Sequence, residues 1–394
     1  MPPDEGAEFR LPLKDDVADI APAVTIPLAP PPEPEPAPEP RQFDMDELLA
    51  YLSAHGGSDL HLSVGGGPMI RRNGGLEPVA GHSALEDDDV RRLLGALLSG
   101  EHWARVDHGQ TLDVVCPVPD VARVRVNVFS TSSGLAAVLH PLPWRVPTLE
   151  DLGLPSAIGE MIGARAGLVL VGGSIGSGRS TTLAAMVDAA IGTEHRRVVT
   201  IESPVEFVHA GPGGMVSHRA LGPEASARAT ALHESIRQDP DIVVVDRIEG
   251  ADALAGALAV AEAGRLVLGA VNTRTAAATI EGMVLTASRD QRPWVRRQLA
   301  DSLQGIVCLA LCSRADGTGQ VAATEVLRMT TELRRLVREG EFAAITGAMA
   351  NGSADGMHTL DQDLARRVKR GEITSDEAFR HGADADELAR LLDT

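Results

Sequence analysis

Residues 167–182 read GLVLVGGSIGSGRSTT. Four apolar residues, Leu168 to Val171, run into a glycine-rich turn, and a helix is predicted from about Ser180. The turn spells G-x-x-x-x-G-R-S from Gly173 to Ser180, the spacing of a phosphate-binding loop with one change. Glycines at 173, 176 and 178 let successive backbone N–H groups turn inward on phosphate oxygens, and the helix adds the positive end of its dipole. Gly173, Ser174, Ile175, Gly176, Ser177, Gly178, Arg179, Ser180 and Thr181 are therefore candidate nucleotide contacts, with the Ser180 hydroxyl placed for Mg²⁺. The change is Arg179, which stands where such loops carry lysine. A lysine presents a compact charge to the phosphates, whereas the guanidinium is wider and planar, so the two are not interchangeable. Backbone amides can still hold ATP or ADP; hydrolysis is expected to suffer.

Outward from this loop, the pattern from about residue 148 alternates strands and helices. Strands are predicted at 168–171, 198–201, 242–245 and 266–271, which together make an α/β parallel sheet with the loop after its first strand. A helix is expected over 295–305, strands at 306–312 and 320–326 around a turn at 316–319, and mostly helix from about 328 to 394. Residues 43–145 read as a smaller α+β domain. It has helices at 44–55 and 89–98, strands at 59–64, 68–70 and 76–79 around the Asn73-Gly74-Gly75 turn, and an alternating strand at 123–129. Residues 1–42 are rich in Pro, Ala and Glu and cannot bury a core, so a disordered tail or spacer is expected there, with a docking peptide as the alternative.

The chain has 394 residues, room for about two or three domains. Aromatics are only 3%, so the cores must be built from Ala, Val, Leu and Ile. No apolar run reaches the roughly 18 residues of a spanning helix, and the start, MPPDEGAEFR, lacks a signal-peptide pattern. A cytoplasmic protein, attached to a membrane only through partners, is expected. A net charge of −19 argues against a sequence-independent nucleic-acid grip, and Trp103, Trp144 and Trp294 are too scattered for a base-stacking stripe. Cys116, Cys308 and Cys312 make neither a disulfide framework nor a metal set. Lysine is nearly absent, with Lys14 and Lys369 alone among 36 basic residues, which offers a compositional reason for Arg179.

Seven ordered motifs extend the reading. They are GSDLHLS at 57–63, RVRVN at 123–127, TTLAAMVD at 181–188, TIESPVEF at 200–207, RQDPDIVVV at 237–245, ELRRLVRE at 332–339 and DGMHTLDQ at 355–362. With the phosphate loop they resemble the secretion and pilus motor ATPases, most closely the type IV pilus retraction ATPases (the PilT family). The resemblance covers about residues 43–379. It implies a PAS-like N-terminal domain, a RecA-like P-loop domain and C-terminal helices that support retraction. It also implies a hexamer, nucleotide between the two domains near a subunit interface, and a platform of inner-membrane pilus or secretion proteins as partner. Arg123 and Arg125 match its phosphate-directed arginines, and Glu202 and Glu206 match the acidic box.

The pocket departs from that pattern. Asp246-Arg247-Ile248-Glu249-Gly250 follows the strand at 242–245, so Arg247 falls where the resemblance expects the catalytic glutamate. Arginine, always charged, accepts no proton. Ser203 replaces the acidic box's aspartate, Arg265 and Asn272 replace two histidines, and Ser133 and His140 replace two further arginines. A drift from lysine to arginine explains none of these. A nucleotide-binding but weakly or non-hydrolysing regulatory or structural subunit is expected, assembled with itself or with an active paralogue. Two alternatives stay open: an active ATPase in which Asp246 holds Mg²⁺ beside Ser180 and Glu202 orients water, and a scaffold without nucleotide. Arg247 itself is expected either to pair with Asp246 or Glu202, or to stand in for part of the metal's charge.

Overall fold

The computed structural model describes residues 44–393 apart from 73, 119–121, 194, 210–212 and 223–224. The proline-rich stretch 1–42 and Asn73 of the expected turn lie outside the described residues. In chain order, the first elements are α1 (Met45–Ala54), β1 (Asp59–Ser63), β2 (Met69–Arg72), β3 (Gly75–Pro78), α2 (Asp87–Gly95), α3 (Gly100–Asp107), β4 (Leu112–Val118), β5 (Ala122–Thr131) and β6 (Gly134–Leu142). Their strands form an antiparallel sheet in the order β3-β2-β1-β6-β5-β4. Alternation in β1 and β5 sends Leu60, Leu62, Val124, Val126 and Val128 into one core with Leu48, Leu49 and Leu52 of α1. This is the PAS-like α+β domain.

The second sheet follows from α4 (Ala157–Ile162), β7 (Gly167–Gly173), α5 (Arg179–Thr193), β8 (Arg197–Glu202), β9 (Met215–Ala220), α6 (Ala225–Ser235), β10 (Ile242–Val245), α7 (Gly250–Glu262), β11 (Leu266–Val271), α8 (Ala276–Thr286), α9 (Arg292–Ser302), β12 (Leu303–Ser313) and β13 (Gln320–Arg328). Its order is β13-β12-β7-β11-β10-β8-β9, parallel except for β13. Central parallel strands are covered on both faces and therefore read as unbroken apolar runs. Leu168 and Leu170 enter the core beneath α7, α8 and α9, while Val169 and Val171 enter the one beneath α4 and α5. Full burial of each such side chain stabilises by about 1.5–3 kcal/mol. This is a RecA-like P-loop fold.

The predicted strands 242–245 and 266–271 occur residue for residue. The helix predicted over 295–305 is instead α9, which starts earlier because Pro293 sits in its first turn. It ends at Ser302 because Leu303 already pairs with Leu168 of β7. The edge strand β9 was not predicted: its sequence, MVSHRA, is exposed at both ends, only half-buried between them, and shows no apolar alternation.

The chain ends in α10 (Thr331–Glu339), α11 (Ala343–Ala350), α12 (Leu360–Lys369), α13 (Ser375–His381) and α14 (Ala385–Asp393). Buried carboxylates tie this region to the sheet. Glu325 of β13 accepts from Ala276 N at 2.6 Å and Leu360 N at 3.1 Å, the first residues of α8 and α12. Asp363 accepts from Thr324 N at 2.9 Å. All three cysteines are buried, and burial pushes the Cys312 thiol up to about 12.

Candidate functional site

The phosphate loop forms where β7 gives way to α5. Gly173 sits at φ +146° with a Cβ position only 2.2 Å from Ser177 Oγ, and Gly176 and Gly178 lie at φ +78° and +91°. Only glycine takes these angles without strain, so the loop curls and leaves Ser174, Ile175 and Gly176 exposed at its tip. Ser177 is buried, and its hydroxyl has no hydrogen-bond partner among the described residues. An orphaned donor inside a cradle of backbone amides fits a phosphate oxygen. Ser180 and Thr181 stand on the first turn of α5.

Beside the loop lies a cleft whose walls include Arg125, Arg179, Ser180, Glu202, Glu206, Asp246 and Arg247. Seven candidates scattered over 123 residues of sequence thus meet in one place. The carbonyl ends of β8, β10 and β11 supply most of it, as open parallel sheets do. Arg125 reaches in from β5 of the first domain.

The side chains in this cleft are largely committed to one another. Asp246 follows β10 and accepts from Arg228 Nε at 2.8 Å, Arg228 Nη2 at 3.0 Å and Ser203 N at 2.8 Å. Arg228, on α6, is buried, and the hydrogen bonds from its fork to Asp246 hold its charge firmly. The expected metal ligand is therefore the counter-ion of a guanidinium. Arg125 makes a bidentate pair with Asp113 at 2.9 and 2.6 Å and a third bond to Glu206 Oε1 at 2.5 Å. Arg123 stays out of the cleft lining and instead donates to the carbonyls of Glu206 and Val205 at 2.6 and 3.2 Å. The two arginines expected at phosphates clamp the acidic box to the first domain. His140 is turned onto Asp59 at 3.1 Å in the antiparallel sheet.

Arg247 does not pair with Asp246 or Glu202, contrary to one of the two expectations for it. Ile248 is buried against Gly269, where an added Cβ would meet Ile248 Cδ1 at 2.3 Å. That anchor directs the preceding side chain outward, and the acid nearest Arg247 is Glu249 at 3.8 Å. Arg179 donates from Nη1 to the Val271 carbonyl at 2.8 Å and to Asn272 Oδ1. Arginine in the loop and asparagine in place of histidine at the end of β11 are thus direct partners. Burial and then the charge of Arg247 push the Arg179 guanidinium below its ordinary pKa, with Glu206 opposing.

Four contributors escaped the sequence reading: Arg228, Asp113, His209 and His218. His209 lines the cleft, bonds Asp188 at 2.5 Å and stacks on His218 with ring centres 5.6 Å apart. His218 Nδ1 lies 3.1 Å from Thr200 Oγ1 and 3.6 Å from Glu202 Oε1. One imidazole, His218, thus stands beside Glu202 with His209 stacked on it, although the expected pair is replaced. No helix among the described residues is long and apolar enough to cross a membrane.

The profile of the Type II/IV secretion system protein family matches residues 104–380. The chain is 36% identical to the type IV pilus retractation ATPase PilT of Pseudomonas aeruginosa over 335 residues, 85% of this chain and 97% of that one. It is 33% identical to a twitching motility protein of Neisseria gonorrhoeae, across 82% of this chain and 86% of that one. A crystal structure of the pilus retraction motor PilT with bound ADP superposes at a TM-score of 0.76 and 33% identity, covering 88% of this chain and 99% of the motor. The ordered motifs, the RecA-like sheet with its phosphate loop and these similarities over most of the chain agree, and the chain belongs to the type II/IV secretion system proteins, among the PilT-like motor ATPases.

Proposed function

We propose that this chain is a nucleotide-binding subunit of a type IV pilus or secretion motor with little or no hydrolysis of its own. The observation that carries the reading is the exit of β10. Arg247 stands where a proton acceptor is expected, and Asp246, the one carboxylate adjoining it on the strand side, is held by Arg228. Losing a positioned general base forfeits about 10²–10⁴ in rate. The orphaned Ser177 hydroxyl and the glycine cradle support retention of the diphosphate grip, and the similar motor that was crystallised holds ADP.

Under this reading the phosphates of ATP or ADP lie on the backbone amides of the phosphate loop. The chain joins a hexamer, of itself or with an active paralogue, on the cytoplasmic face of an inner-membrane platform. Nucleotide then sets the domain arrangement through Arg123, Arg125 and Glu206. The experiment is ATP binding and phosphate release on one purified full-length sample. Saturable binding with release indistinguishable from a heat-denatured control is expected. Sustained turnover would refute the proposal.

One observation favours a second reading. Glu202 borders the cleft with His218 3.6 Å behind it, a base with an orienting partner. If turnover is found, Glu202→Gln abolishes it on that reading.

A further inference from the structure

We propose that this cleft binds its nucleotide without a divalent cation, the guanidiniums of Arg179 and Arg247 supplying the positive charge. The proposal rests on the nucleotide-binding reading above and names what balances the phosphates.

A magnesium ion in a phosphate-loop site takes oxygen ligands from one or two carboxylates or hydroxyls, from phosphates and from water. Most of the acidic groups here are already committed, which leaves the Ser180 hydroxyl and Glu202 as the oxygens on the cleft wall that no guanidinium holds. Asp246 already accepts three hydrogen bonds on its two oxygens, two of them from a buried guanidinium that cancels its charge. Glu206 is bound to Arg125, which also carries Asp113.

The cations give the complementary result. With Asp246 matched to Arg228 and Glu206 to Arg125, two guanidiniums on the cleft wall remain without a carboxylate in hydrogen-bond range among the described residues. Arg179 rests on two neutral oxygens, the Val271 carbonyl and Asn272 Oδ1. Among the described residues the one carboxylate paired with Arg247 is Glu249, at 3.8 Å and largely in solvent. Both line the same cleft, and after burial the charge of Arg247 lowers the pKa of the Arg179 guanidinium. Like charges gathered without counter-ions beside a cradle of N–H groups make a site for a polyanion. Arginine forks grip phosphate oxygens bidentately, and they need no metal to bridge adjacent phosphates. Asn272 holds the Arg179 guanidinium beside the loop, and Arg247 adds a second positive charge to the cleft wall.

The test is equilibrium binding of a fluorescent ADP or ATP analogue to the full-length chain, once with excess EDTA and once with millimolar Mg²⁺. Affinities agreeing within about threefold are expected, with both falling as salt rises because charge holds the ligand. Arg247→Glu, at a half-exposed position that folding tolerates, is expected to weaken binding in EDTA by about tenfold or more. Arg247→Gln should fall between, and matching melting curves for all three proteins would show that the fold is intact. A tenfold or greater loss of wild-type affinity on adding EDTA overturns the metal-free proposal and leaves nucleotide binding standing. No binding in either buffer overturns the nucleotide reading, and this proposal with it.

Discussion

Arg228→Met removes one half of the least exposed ion pair in the cleft. The Arg228 and Asp246 side chains retain 9% and 19% exposure, and their two bonds are 2.8 and 3.0 Å long. Removing one partner of a buried pair costs about 3–5 kcal/mol, because the survivor is left charged and desolvated. Asp246 keeps the Ser203 amide and some contact with water, which places the loss near the lower end, about 3 kcal/mol. For a domain of this size each kcal/mol lowers the melting temperature by roughly 2–4 °C, so a fall of about 6–12 °C is expected. Calorimetry on the full-length protein measures it. The double variant Arg228→Met/Asp246→Asn should melt well above the sum of the single effects, because no lone charge remains buried. The same single variant frees a carboxylate beside Ser180, so nucleotide binding should acquire a dependence on Mg²⁺ that the parent lacks. A drop below about 2 °C, or strict additivity in the double variant, would refute the view that Asp246 serves as a counter-ion.

Three further outcomes are expected. Gly173→Ala places a Cβ 2.2 Å from Ser177 Oγ and 2.8 Å from the Leu309 carbonyl at φ +146°; overpacking of about 1–3 kcal/mol in the loop should cut nucleotide affinity by about tenfold, and unchanged binding would remove the loop from the site. In the amphipathic α10, Leu336 is 3% exposed whereas Arg338 pairs with Asp301 in solvent. Leu336→Ala should therefore cost about 2–5 kcal/mol and Arg338→Ala under about 1 kcal/mol; equal shifts in denaturant midpoint would contradict that packing. The hydrogen bond that His140 donates to Asp59 raises the pKa of His140 above the ordinary 6.5 against the effect of burial. Burial pushes the Asp59 carboxyl up, but His140 and Ser58 outweigh it and bring it below 3.8. The histidine's contribution is then complete below pH 6.5 and fades as pH rises through the higher folded value, while the carboxylate's is present above 3.8 and fades as pH falls through the lower one. An NMR titration of His140 should show a midpoint above 6.5 that falls in Asp59→Asn; a midpoint at or below 6.5 in the parent would negate the pairing.

What was legible in the residues alone was whatever depends on neighbours along the chain. Strands β7, β10 and β11 announced themselves because a strand buried on both faces must be apolar throughout, and the loop after β7 because only glycines at fixed offsets turn its amides inward. The family resemblance grouped Arg179, Glu202, Glu206, Asp246 and Arg247 in one pocket; Arg179 starts the helix after a parallel strand, Glu202, Asp246 and Arg247 lie at strand ends, and Glu206 lies in the loop after β8. Strands β4 and β6 and edge strand β9 lacked that signature: Pro117 and Pro141 interrupt the first two, and β9 shows no alternation.

What each charged group does in the pocket was decided only in three dimensions. Arg228 reaches Asp246 across 18 positions, Arg125 reaches Glu206 across 81 and Arg179 reaches Asn272 across 93. A motif fixes where a side chain starts, through backbone angles and short-range periodicity. Which partner takes its charge depends on how the sheets and helices pack, and Coulombic pairing over such separations leaves no trace in residue spacing.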